Sequence, residues 1–471
     1  MSEKLKITIY RGANQIGGCA TEICYGEERI LIDLGANLPG TDETMSISDE
    51  ELVAKVFDGR PCKGILFTHY HGDHYGLYRQ IPDGIPMYIG KSAKEIMSVV
   101  ARTIYRVADE DAKSIAEKNL KKITSMETYC HSEPIFKTGK IQVTPIMTDH
   151  SAMDAYMFLV EVEGKKILFT GDFRDHGIAS ENNRFWENIA EHVPNDVDIL
   201  ITEGTMMTRD EEARQNLVHT EEELGKKAGE FLEECDYNFV LVSSTNLDTI
   251  MELYRNTPQN KMFIVDTYQA EIMLTAMELK KDVFEQYGAY EIADGKYCRP
   301  IYIIGKREAG TDNVHISGPA MMKLRERAEV IHPKFHIGYA DYKRMREKGI
   351  LMLIRPNRYR EKYESCFEEV IREFSSGDIQ LIYSMWKGYI EGSKVDEDIL
   401  HMTKLFSNRI DLHTSGHAYV ETIAKLINTV KPQKVIPMHT EFANGFREKK
   451  EFQDCTAEVV FLKDMETYVL E

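Results

Sequence analysis

The chain has 471 residues, with 58 Lys plus Arg against 77 Asp plus Glu and a formal net charge of −19. Its length allows two or three domains with sizeable cores and excludes a small disulfide-stapled module. With 42% hydrophobic and 29% charged residues it is neither a disordered chain nor a membrane protein, and its acidity counts against a grip on nucleic acid through bulk positive charge.

The eight cysteines form no CxxC pair and keep no regular spacing, so they read as free thiols of a reducing compartment. The start, MSEKLKITIYRG, runs into an alternating strand pattern without the apolar core of a signal peptide. No run approaches the roughly 18 to 20 apolar residues a bilayer needs. A cytoplasmic protein with no membrane partner is the expectation.

Short β-rich runs come first: KITIY, ATEICYG and RILIDLG, punctuated by glycine turns. Apolar strands ending in polar clusters follow, in GILFTHYHGDH, PMYIG, IQVTPIMTDHS, YMFLVEV, KILFTGDF and DILITEGT, with helical spacing across KSAKEIMSVVARTIYRVADEDAKSIAEKNL. Strands that finish in His, Asp or Glu place those groups at one sheet edge, where α/β folds keep their chemistry. Beyond Glu203 the character changes. Thr220 followed by Glu223 signals a capped helix over EEELGKKAGEFLEEC. NFVLVSSTNLDTIMELYRN and KMFIVDTYQAEIMLTAMELKK then alternate strand with helix, which favours a parallel sheet. From GDIQLIYSMWKGY onward the polar strand ends return, in IDLHTSGHA and KVIPMHTEF, and EVVFLKDMETYVLE predicts two closing strands. The pattern predicts one domain, residues 1–205 and 376–471, interrupted by another over 206–375.

The sharpest feature is His69-Tyr70-His71-Gly72-Asp73-His74 at the end of GILFT. Four potential ligands within this hexapeptide can address two metal ions from a single loop. Imidazole and carboxylate suit zinc, manganese and iron, and a ligand set without cysteine argues against a closed structural zinc site.

This HxHxDH string resembles the metallo-β-lactamase superfamily, and the other stations of that family occur in order: Asp33 in LIDLG, His150 in TDHSAMDA and Asp172 in FTGDF. The resemblance implies an α/β fold, the αββα sandwich, with two divalent metal ions, zinc first and manganese as the alternative. His69, His71 and His150 would hold one metal, Asp73 and His74 the second, Asp172 would bridge them, and Asp33 would be a structural support. Two such metals would share a water whose pKa falls toward neutrality, providing hydroxide.

Glu203 and Thr205 in ILITEGT, His417 in SGHA, and His439 with Glu441 in IPMHTEF resemble the three additional motifs of the β-CASP group. This is the nucleic-acid-processing branch that contains ribonuclease J and the pre-mRNA cleavage endonuclease. In it a β-CASP α/β domain is inserted into the metallo-β-lactamase domain. The resemblance implies that His439 completes the second metal site, that His417 faces the scissile phosphate as proton donor, and that Glu203 hydrogen-bonds His417 and raises its pKa. With Asp73, Glu203 and His417 form the catalytic set. Ser415, Gly416 and Asn246 would contact the substrate phosphate, since small residues let amides approach an anion.

Ribonuclease J relatives commonly carry a His-Arg pair after the asparagine of that loop. Here Asn246 is followed by Leu247, Asp248 and Thr249, which removes two cationic donors, with Arg355, Arg358 and Lys387 as replacements. The chain also ends soon after the last motif, so the further C-terminal domain usual in ribonuclease J proteins is expected to be missing; a homodimer through the core is allowed. The implied function is cleavage of RNA phosphodiester bonds through a metal-activated hydroxide, on short or terminal segments given the acidity. A DNA nuclease, a small-molecule metallo-hydrolase of the same fold and a non-catalytic RNA-binding protein are the alternatives.

Overall fold

A computed structural model of the chain describes residues 3–39, 41, 46–136, 138–278, 299–358, 364–375, 377–392 and 394–470. The chain folds as two units, Met1–Arg214 together with Gly416–Glu471, and Gln215–Ser415.

In the first unit, one sheet runs in the order Glu466–Leu470, Leu5–Arg11, Ala20–Tyr25, Glu28–Ile32, Ile65–Leu66, Met87–Gly90, Glu127–Tyr129. The opening hairpins are antiparallel and the strands from Glu28–Ile32 onward parallel. Glu466–Leu470 pairs with Leu5–Arg11, one of the two closing strands expected from the sequence. The second sheet runs Glu458–Val459, Lys434–Met438, Ile199–Glu203, Lys165–Phe169, Ala155–Val162, Ile141–Thr148. Its middle strands are apolar on both faces because both faces are covered. Leu168, Leu200 and Val435 pack with Phe185 and Ile189 of the helix Arg184–His192 and with Ile423 and Ile427 of the helix Val420–Val430. The alternate residues Ile167, Ile199, Ile201 and Ile436 point the other way and are equally buried.

Strand direction fixes where the polar groups emerge. Ile141–Thr148 and Lys165–Phe169 are both antiparallel to Ala155–Val162, and Lys165–Phe169, Ile199–Glu203 and Lys434–Met438 are mutually parallel. All four therefore end on the same edge, carrying His150, Asp172, Glu203 and His439 there. In the first sheet the parallel pair Glu28–Ile32 and Ile65–Leu66 likewise delivers Asp33 and His69.

The unit Gln215–Ser415 is built on a parallel sheet, in the order Ile337–Tyr339, Ile301–Ile303, Met262–Val265, Ile350–Ile354, Tyr237–Val242, Ile379–Ser384, Arg409–Asp411. Thr220 Oγ1 accepts from the Glu223 N–H at 3.1 Å to open the helix Glu221–Glu234. The boundary corrects the expected one: residues 376–415 belong here rather than with the closing part of the first domain. The reason is pairing, since Ile379–Ser384 lies parallel to Tyr237–Val242 and Arg409–Asp411 parallel to Ile379–Ser384. Cys19, Cys24, Cys62, Cys130, Cys235, Cys366 and Cys455 are free thiols, and Cys298 lies outside the described residues. Among the described residues no helix is long and apolar enough to cross a membrane.

Leu200 is fully buried in the strand that ends in Glu203. Leu200→Ala is expected to cost about 2–5 kcal/mol through lost burial and the cavity left behind, read as a lower urea midpoint for the first unit. An unchanged midpoint would show that this layer is not a packed core.

Candidate metal centre

The loop after Ile65–Leu66 is anchored before any ligand is considered. Asp33, in the left-handed region at φ 61°, turns its carboxylate under the loop. There it accepts from the Thr68 N–H at 2.7 Å and the Thr68 hydroxyl at 2.9 Å, and from His74 Nδ1–H at 2.8 Å. Gly35 permits this closeness, because a Cβ there would come to 1.6 Å from the Asp73 carbonyl oxygen.

The hydrogen-bond network fixes the orientation of four of the histidine rings. Thr68 Oγ1 already donates to Asp33, so it accepts from His69 Nδ1–H at 3.0 Å. His74 spends Nδ1–H on Asp33, and His150 donates Nδ1–H to the Gly416 carbonyl at 2.5 Å. His439, itself at φ 51°, has Nδ1 on Thr205 Oγ1 at 2.7 Å. In all four rings the outer partner takes Nδ1 and leaves Nε2 facing inward, the pattern by which second partners orient metal-binding imidazoles.

Nitrogens of five rings surround Asp172. Its carboxylate lies 3.1 Å from His74 Nε2, 3.9 Å from His69 Nε2 and 4.0 Å from His150 Nε2, and 3.6 and 3.8 Å from the Nδ1 atoms of His417 and His439. His69, His71 and His150 form one cluster, with His150 Nε2 3.1 Å from His71 Nδ1. His69, His74 and Asp172 form a second, and Asp172, Glu203, His417 and His439 a third, while Asp73 reaches His439 Nε2 at 3.3 Å. Glu203 accepts from the Phe173 N–H at 3.0 Å and faces His417 Nδ1 at 3.1 Å.

Burial and charge pull these groups in opposite directions. Burial pushes His69 and His150 well below the ordinary histidine range and His71 down to about 4. Burial alone would also lower His74, but Asp172, Asp33 and Asp73 hold it well above that range. Burial would raise the Asp172 carboxyl; His439, His74 and His417 instead hold it well below the usual carboxylate range. His417, opposed by burial, is raised by Glu203 and then Asp172.

The donor set fits divalent cations. Asp33, Asp73, Asp172 and Glu203 pair only with imidazoles, with no Lys or Arg partner among the described residues. Buried charge left so is costly unless a metal compensates it. His69 Nε2, His74 Nε2 and Asp172 Oδ1 are buried without a hydrogen-bond partner. The His71 to His150 spacing is close to the roughly 3.3 Å that two nitrogens take on one tetrahedral zinc.

The remaining expected residues stand apart from this description. Gly416 contributes a carbonyl that orients His150, a role its small size alone did not signal. Asn246 and Ser415 belong to the second unit, where Asn246 precedes the helix Leu247–Asn256 and Thr414, beside Ser415, donates to Glu221 at 2.6 Å. The replacement cations there are matched by carboxylates: Arg355 with Asp266, Arg358 with Asp396 and Asp398, Lys387 with Asp411. Two features of the centre were not expected from the sequence. Asp149 and Arg174, a buried ion pair at 3.0 Å, tie the His150 loop to the Asp172 loop. Cys19 lies beside His74 and His439, its thiol pushed well up by burial and then by Asp172, Asp73 and Asp33.

Residues 18–102 match the family model described as the metallo-beta-lactamase superfamily, and residues 408–454 that of the Zn-dependent metallo-hydrolase RNA specificity domain. The chain carries a metallo-β-lactamase domain. Such a domain implies a divalent metal, usually zinc. The fold is shared with a protein of unknown function from Enterococcus faecalis V583, at a TM-score of 0.64 and 18% identity over 99% of this chain and 100% of that one. Endoribonuclease ysh-1 of Neurospora crassa is 25% identical over 212 residues, 41% of this chain and 23% of that protein. Transcription termination factor FttA of Methanocaldococcus jannaschii is 25% identical over 247 residues, 48% of this chain and 36% of that protein. Cleavage and polyadenylation specificity factor subunit 3 of Dictyostelium discoideum is 25% identical over 219 residues, 43% and 26% of the two. The matched stretch thus spans about a quarter to a third of the length of these relatives.

Asp33→Asn keeps the shape of the support but removes its charge. It should weaken metal binding about 10- to 100-fold in a chelator competition, the usual effect of losing an outer partner. Unchanged affinity would show that Asp33 does not set His74.

Proposed function

We propose that this chain is a two-metal phosphodiesterase acting on RNA, with the β-CASP arrangement of its insertion. His69, His71 and His150 would hold one divalent ion, and Asp73, His74 and His439 the other, with Asp172 shared between them; zinc suits this set best, manganese next. The bound metals supply an activated water and positive charge for the non-bridging phosphate oxygens.

The observation that carries the reading is His417. It is 21% exposed while Asp172 beside it is 2% exposed and its partner Glu203 1%. Glu203 accepts from His417 Nδ1–H, which fixes the ring and favours the imidazolium; Nε2–H is then the proton given to the leaving oxygen. Glu203 is held in turn by the Phe173 N–H, so its carboxylate does not swing away. An ester or thioester needs no such placed acid as strongly as a phosphodiester does. The RNA-specificity match over 408–454 and the endoribonuclease relative support RNA over DNA. Ser415, Gly416 and Asn246 are proposed to meet the substrate phosphates. With an overall charge of −19, grip on long polyanions is weak and short or terminal segments are favoured.

The test is cleavage of labelled RNAs carrying 5′-monophosphate or 5′-hydroxyl ends, alongside the same sequence as DNA. His71→Ala and Asp172→Ala are expected to abolish cleavage and lower bound metal. His417→Ala should lower kcat about 10²- to 10⁴-fold with metal content unchanged. Full activity in these variants, or equal rates on DNA and RNA, would overturn the proposal.

A further inference from the structure

One buried donor at the centre is left unused by the chemistry above. Cys19 is 0% exposed, and its Sγ forms a set with one ring nitrogen each of His74 and His439 whose atoms all lie within 4.8 Å of one another. Its peptide is locked to the metal loop: the Cys19 N–H donates to the Asp73 carbonyl at 2.9 Å, and its own carbonyl accepts from the Gly35 N–H at 2.9 Å. Gly12 keeps room for the sulfur. At φ +101° it stands where an added Cβ would come to 3.1 Å from Sγ. A separate observation points to a ligand in the same place: His74, 1% exposed, turns inward a buried Nε2 that makes no hydrogen bond although the Asp172 carboxylate lies 3.1 Å away.

We propose that Cys19 Sγ is a ligand of the metal held by Asp73, His74 and His439. Resting on the two-metal reading, this gives the second position one soft donor and the first position none. At a tetrahedral angle, zinc–sulfur and zinc–nitrogen bonds of about 2.3 and 2.0–2.1 Å set sulfur and nitrogen about 3.5 Å apart, so donors now within 4.8 Å of one another draw together around one ion. On coordination the S–H bond breaks, its proton leaves to solvent, and a metal–sulfur bond forms with no change of oxidation state. Sulfur selects zinc over manganese, so the two positions differ in metal preference.

Cobalt(II) substitution of the full chain tests this without reading RNA cleavage, so a failed nuclease assignment leaves the result intact. The expected spectrum has visible ligand-field bands together with an intense near-ultraviolet sulfur-to-cobalt charge-transfer band. Cys19→Ser and Cys19→Ala should lose that band, keep the ligand-field bands, and lose zinc-over-manganese preference at one of two positions. The unaltered protein decides the matter even where a variant folds poorly. Two bound cobalt ions with no charge-transfer band, or a band that survives both substitutions, would overturn the proposal while leaving the two-metal reading standing. Binding of no cobalt would overturn both.

Discussion

The centre is organised by one electrostatic constraint: the Asp172 carboxylate, 2% exposed, sits among five imidazoles within 4.0 Å, and neither it nor Asp33, Asp73 or Glu203 has a Lys or Arg partner among the described residues. A buried carboxylate so placed needs positive charge, and imidazoles provide it only by taking up protons that burial opposes. The division seen here, with His74 held charged and His69 and His150 held neutral, is the compromise reached by protons alone. Divalent cations satisfy the same carboxylates without charging any ring, and the inward Nε2 lone pairs are already turned toward them. Metal affinity at this site is therefore a property of the whole constellation rather than of any one ligand.

The fold serves that constraint through strand direction. Co-directional strands from two sheets deliver their ends to the centre, and His69, His150, Asp172 and His439 each lie within three residues of a strand end. Rigid elements thus hold the ligands, while outer partners fix ring orientation: Asp33 for His74, Thr68 for His69, the Gly416 carbonyl for His150 and Thr205 for His439. The left-handed backbone at Asp33 and His439 places strain of order 1–3 kcal/mol each at the two residues that must turn inward at a strand end. The Asp149–Arg174 pair links the loops that carry His150 and Asp172, so the two loops share a mechanical connection.

Much of this was legible in the sequence where chemistry and position coincide. The His69 to His74 hexapeptide concentrates its ligands in one loop, and His150, Asp172, Glu203 and His439 each follow an apolar run that predicts a strand. The unread parts share a physical reason: they depend on pairings between distant segments. Whether Ile379–Ser384 joins one sheet or the other is settled by its partner Tyr237–Val242, and its own residues fit either, so the boundary at 375 moved to 415. Cys19 stands fifty residues before the metal loop in an ordinary strand start, and only the contact with Asp73 brings it to the centre. Gly416 acts through its backbone carbonyl, which no side-chain pattern announces.

The most direct measurement is anomalous X-ray diffraction at the zinc edge from crystals of the full chain loaded with zinc. Two anomalous peaks flanking the Asp172 carboxylate, one among His69, His71 and His150 and the other beside His74 and His439, are the predicted result. A single peak, or density with Asp172 turned away from both clusters, would contradict the account.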